Sequence, residues 1–202
     1  MTAHARRKQS GWLVALLLQA ALAGCASDGA PPEERPMIAP GHVLTLPAPG
    51  DLGRSVEAAQ LITVRRGSET DVLECHISVT PERFLLVGVD GMGRRAITLT
   101  WEKSGKITAE TASWLPRPIP PGPMLADLVV LYWPEAIVRR ALEGSGATLK
   151  VRDDGRSVIV DGAEVFHAEY QGEAAPSWTG RLRYRSDAWG YEIEVQSVEL
   201  AP

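Results

Sequence analysis

Residues 116–144 constrain the fold more than any other stretch. They read PRPIPPGP followed by MLADLVVLYWPEAIVRRALEG. Leu125, Leu128, Val129 and Tyr132 stand at i, i+3, i+4 and i+7, the apolar stripe of an amphipathic helix. Pro134 cannot continue that helix but suits the first position of another. In this second helix Ile137, Val138, Ala141 and Leu142 make the apolar face, with Gly144 as a C-terminal cap. Two short helices bent at Trp133-Pro134 are therefore expected, as an insert at 123–144. The sequence on either side alternates with period two, the spacing of strands, so the insert divides two blocks of β structure.

The first block predicts strands over 60–66, 71–80, 84–89, 94–102 and 106–111, with turns at 66–68, 90–93 and 104–105. Short turns between them imply an antiparallel meander. Leu73, Cys75, Ile77 and Val79 share one face of their strand, which makes Cys75 a small buried hydrophobe; Ile97, Leu99 and Trp101 share a face of theirs. In the second block Asp154-Gly155 and Asp161-Gly162 are hairpin signals. They place Val151 opposite Val158, Leu149 opposite Val160 and Val158 opposite Val165. A last hairpin about residues 187–190 sets Arg185 against Glu192 and Arg183 against Glu194 on a wet face, and Tyr184 against Ile193 and Leu182 against Val195 on a core face.

The N-terminus reads as an address rather than as part of the fold. Arg6, Arg7 and Lys8 precede an apolar run over 11–23 that is shorter than the roughly 20 residues a spanning helix needs. The run ends in Leu22-Ala23-Gly24-Cys25, which matches the bacterial lipobox, so residues 1–24 are read as a lipoprotein signal peptide and Cys25 as the lipidated residue. Stable anchoring needs at least two chains at about 0.8 kcal/mol per buried CH₂, and a diacylglyceryl-modified Cys25 would supply them. Ala26 and Ser27 follow, with no aspartate of the inner-membrane retention type, so the expected location is the periplasmic face of the outer membrane. Residues 25–56, proline-rich and poor in large apolar side chains, are read as a tether; residues 57–202 are read as one domain.

Removing the three basic residues of the leader from 21, against 25 acidic ones, leaves a net charge of −7. No basic run offers the phosphate attraction that nucleic-acid binding requires. With Cys25 consumed by lipid, Cys75 has no intramolecular disulfide partner. His42, His76 and His167 have no metal-ligand spacing. Cys75 and His76, as neighbours on a strand, point to opposite faces and cannot act as nucleophile and base. No phosphate loop, dinucleotide fingerprint or nucleophile elbow is present. Neither catalytic residues nor a cofactor are expected.

A signal, a lipobox and a tether, then strands, a helical insert and more strands, resemble the lipoprotein carriers LolA and LolB. More closely, Met124-Leu125-Ala126-Asp127-Leu128 with Leu131-Tyr132-Trp133-Pro134 resembles an uncharacterised family of bacterial lipoproteins, a domain of unknown function, whose members are associated with aryl-polyene and related pathways. The resemblance implies a mainly β, α+β fold: a strongly curved antiparallel half-barrel closed by the two helices around an apolar cavity. Leu125, Leu128, Val129, Tyr132, Trp133, Ile137, Val138 and Leu142, with Leu99 and Trp101, would line that cavity if helices and sheet stand apart. If they pack closely, the same residues fill the core. Met92, at the 90–93 tip beside Arg94 and Arg95, is the nearest candidate for the exposed apolar residue with which LolB contacts the membrane. The expected function is binding or transfer of a lipidic, acyl or polyene-type molecule. The alternative is an envelope assembly or scaffold lipoprotein with a solid core, whose partners are other envelope proteins.

Overall fold

The computed structural model describes residues 35–115, 120–172 and 176–201. The leader, Cys25, the first part of the expected tether and residues 116–119 lie outside them. The elements run β1 (Met37–Ala39), β2 (His42–Val43), a 3-10 turn at Pro49–Leu52, β3 (Val56–Arg66), β4 (Glu69–Val79), β5 (Arg83–Val89), β6 (Arg95–Glu102), β7 (Ile107–Thr111), α1 (Pro121–Tyr132), α2 (Glu135–Ala141), β8 (Ala147–Arg152), β9 (Gly155–Val160), β10 (Ala163–Gln171), β11 (Gly180–Ser186) and β12 (Tyr191–Glu199).

Ten strands form one antiparallel sheet in the order β7-β6-β5-β4-β3-β12-β11-β10-β9-β8. The chain is thus mainly β with two helices, as the alternation predicts. The sheet is two meanders of five strands joined where β3 pairs with β12. It is not closed. β7 and β8 are its edges, and α1 and α2 form the connection from one edge to the other while packing on a single face. Phe84, Leu86, Leu99 and Trp101 from the first meander and Val158, Phe166, Leu182 and Ile193 from the second meet the helices there.

The last hairpin has the expected register throughout, with Arg185 opposite Glu192, Arg183 opposite Glu194, Tyr184 opposite Ile193 and Leu182 opposite Val195. The ionic contacts across it are carried by Arg183, which reaches both Glu192 and Glu194, while Arg185 turns to Glu164 and Asp187.

Two other registers differ from expectation. The β8–β9 turn falls at Asp153-Asp154, so Val151 faces Arg156 and Leu149 faces Val158. Gly155 belongs to the strand instead: a Cβ there would stand 2.3 Å from the Ala168 carbonyl oxygen, so the glycine permits close packing against β10. After the Asp161-Gly162 turn, whose residues both have positive φ, a bulge between Glu164 and Phe166 sets Phe166, not Val165, opposite Val158.

The segment read as a tether is folded from residue 35 onward. Ile38 and Leu44 are fully buried. The Thr45 N–H donates to the Ala141 carbonyl, and His42 Nδ1 lies 2.8 Å from the Ser145 carbonyl. At the start of α1, a Cβ on Gly122 would lie 2.0 Å from the Arg35 carbonyl oxygen, so glycine is what lets the arm pass. The arm explains a further difference: from Leu125 onward α1 is buried all round, Ala126, Val130 and Leu131 included, and has no wet face. A helix that is apolar on every side belongs in an interior; here the sheet covers one side and the arm the other.

The bend between the helices lies where expected. Trp133 is extended, as a residue before proline must be. Pro134 has no N–H, so the Val130 carbonyl loses its helical donor. The buried Arg156 replaces it, with Nη1 2.7 Å from both the Val130 and Trp133 oxygens, and the Tyr170 hydroxyl donates to Leu131. A guanidinium at a helix C-terminus also meets the negative end of the helix dipole. Desolvation lowers the Arg156 pKa from its ordinary value.

Candidate functional site

Most of the residues expected to line a cavity fill the core. Leu125, Val129, Trp133, Val138, Leu99, Trp101 and Leu142 are buried, and Ile137 packs against them. Trp133 is wedged between Phe84 and Trp101, with ring centroids 6.4 and 5.3 Å away. Tyr132 stacks on Trp178 at 3.9 Å and accepts a hydrogen bond from buried Gln60, which also reaches Ser197. Bulky rings at the bend close the space that a wider separation of helices and sheet would have left.

A cavity of about 90 Å³ lies further along, beneath the first half of α1. Of the residues expected in such a place, Leu128 lines it. The rest of the wall is new: Met124 from the same helix, Ile62, Leu73 and Cys75 from β3 and β4, Ile97 from β6, and Tyr184 and Ile193 from the second meander. Ile62, Val64, Leu73, Leu115 and Met124 are half-buried and make an apolar rim, with Asp71 among them; Cys75, Ile97 and Ile193 are buried.

One charged side chain from α1 reaches this wall. Asp127 is 1% exposed, and the Tyr191 hydroxyl donates to its Oδ2 while Oδ1 has no partner among the described residues. Burial pushes its carboxyl up to about 8, against the smaller, opposite effect of the Tyr191 hydrogen bond. Burial thus favours the neutral acid. Sequence reasoning missed Asp127, Tyr191 and Gln60. The available signal was that Asp127 is the single charged residue between 121 and 132.

Met92 stands 73% exposed at the β5–β6 tip, where Asp90 fastens the turn through the Met92 and Arg94 N–H groups. Arg94 lies over the half-exposed Trp114 ring at 4.5 Å, and the next residue, Leu115, belongs to the cavity rim.

Ser157, His167 and Glu169 are within hydrogen-bond distance in that order, at 3.2 and 3.1 Å. They do not form a nucleophile site, because Ser157, which shares a face with its cross-strand partner His167, is fully buried and its hydroxyl is also held by Arg152. His76 is exposed on its strand, and the buried Cys75 thiol is pushed up to about 12 by desolvation. Among the described residues no group of His, Cys, Asp and Glu has the geometry of a metal site.

Residues 57–199 match the family described as protein of unknown function (DUF3261). The chain belongs to the DUF3261 family. The matched DUF3261 segment corresponds to β3 through β12 with both helices, so cavity, Asp127 and the Met92 tip all lie within it. The arm that covers α1 precedes it. No curated protein matches the chain.

Proposed function

We propose that this DUF3261 protein is an outer-membrane lipoprotein, anchored through Cys25, that binds and passes on a lipidic molecule with an acyl or polyene chain. The observation that carries the reading is the apolar cavity between α1 and the sheet, with its half-buried rim of Ile62, Val64, Leu73, Leu115 and Met124. An open antiparallel sheet with helices packed on one face is compatible with the half-barrel of the LolA and LolB carriers. The lipobox supports the anchor. Met92 and Trp114 support a rim that faces the membrane, because they expose apolar surface there, while Arg94 is paired with Asp90 at 2.7 Å.

At about 90 Å³ the cavity is well below the roughly 300–1,000 Å³ of ordinary ligand pockets. A long chain therefore lies mostly along the rim, and its binding comes from apolar area removed from water at about 25 cal/mol per Å². No bond-making step belongs to this reading.

The solid packing around Trp133 favours a second reading, a scaffold lipoprotein that assembles with another envelope protein. Native mass spectrometry of the full chain purified from its own host separates the two. The carrier reading expects a co-purifying lipid and displacement of N-phenyl-1-naphthylamine by acyl compounds; absence of both overturns it. A Cys25→Ala chain is expected to leave the membrane fraction.

A further inference from the structure

The cavity lining is aliphatic apart from Cys75, Tyr184 and two acids. Asp71 sits on the half-exposed rim; Asp127 is buried. Asp127 is among the residues that line the cavity, and its Oδ1 is buried without a partner among the described residues. Buried polar atoms in folded proteins are paired as a rule, and an orphan calls for a reason. Tyr191 already satisfies Oδ2, so the second oxygen is the one a guest could use.

We infer that the cavity takes its ligand polar end first, with a neutral hydroxyl-type head hydrogen-bonded to Asp127 Oδ1 and the apolar tail leading out over the rim. This rests on the carrier reading and adds an orientation and a head chemistry to it. About 90 Å³ is the room of some three water molecules, enough for a hydroxyl and its first carbons but not for a chain. The burial of the lining agrees: Asp127 is buried, whereas Ile62, Val64, Leu73, Leu115 and Met124 are half-buried.

A charged head is disfavoured by the same surroundings. No cation stands among the cavity-lining residues to pair with an anionic head. An ammonium would have to be stripped of water and to ionise a carboxyl that Tyr184, Tyr191 and Cys75 surround with uncharged groups. Arg66 lies over the Tyr191 ring at 5.7 Å, further opposing a second cation on that side.

The test uses the full chain with N-phenyl-1-naphthylamine as reporter, displaced by 1-decanol, decanoate or decyltrimethylammonium at pH 6.5. Decanol is expected to displace it about tenfold more effectively than either charged compound. In Asp127→Leu that preference is expected to shrink about five- to tenfold, the size of one hydrogen bond, with dye binding retained; Asp127→Asn is expected to keep it. Equal displacement by all three compounds on the unsubstituted chain, or an unchanged preference in Asp127→Leu, overturns the head assignment and leaves the carrier reading standing. Failure of the chain to bind the dye or any of the three overturns both. The comparison of compounds on the unsubstituted chain needs no variant to fold.

Discussion

Arg156 Nη1 donates to the Val130 carbonyl oxygen at 2.7 Å, in the place where the N–H of Pro134 would have stood in an unbroken helix. A side chain from β9 thereby completes the end of α1. Replacing Arg156 with Met keeps much of the apolar stem but leaves the Val130 and Trp133 oxygens buried without a donor. A loss of about 2–4 kcal/mol is expected, read as a lower urea midpoint at unchanged slope.

Asp127 sets a pH dependence of stability. Its carboxyl titrates near 4 in an unfolded chain and near 8 in the fold. Between those values the native state holds a proton that the unfolded state has lost, so stability falls as pH rises. Asp127 contributes a slope of up to about 1.4 kcal/mol per pH unit, which levels off above about 8. Urea denaturation at pH 5, 6, 7 and 8 is expected to show Asp127→Asn gaining on the unsubstituted chain across that range.

Gly122→Ala drives a methyl group into the Arg35 carbonyl. The arm is backbone there and cannot rotate away, so it is expected to detach from α1 at a cost of about 1–3 kcal/mol. Hydrogen exchange provides the readout. The Leu44 and Thr45 amides, bonded to Pro36 and Ala141, should lose protection while the β3–β12 amides keep theirs.

Cys75 is expected to be almost inert toward a disulfide reagent in a Cys25→Ser chain. With the thiol pushed up to about 12, the thiolate at pH 8 is about three orders of magnitude scarcer than for a free cysteine. Labelling should follow opening of the fold, and its rate should rise with urea in step with unfolding.

The strand pattern was open to direct reading wherever one face is wet and the other buried. Alternation then fixes both strand and register, as in β11 and β12, where arginines oppose glutamates on one side and tyrosine opposes isoleucine on the other. It failed where a residue has two uses. Gly155 looks like half of a hairpin turn, yet it is needed in the strand because the Ala168 oxygen comes so close. The arm was hidden for another reason. Ile38 and Leu44 are isolated apolar residues among prolines, and nothing local reveals that they cover the far side of a helix some 80 residues away. The site was legible only in outline: Leu128 followed from helical spacing, but the closure of the space around Trp133 depends on how three large rings meet.

The pairing of β3 with β12 joins the first and last strands of the ten-stranded sheet at its middle. As the chain emerges, β3 to β7 are complete long before β12 exists, and the eleven-residue β3 is meanwhile an open edge, the kind that recruits other chains. The meanders can zip up locally, but the seam closes only when residues more than 120 positions apart meet, a step that loop closure makes slow. Biogenesis thus carries a late, vulnerable interval. A chaperone that shields one exposed strand edge would be of most use to this protein between the synthesis of β7 and the arrival of its C-terminus.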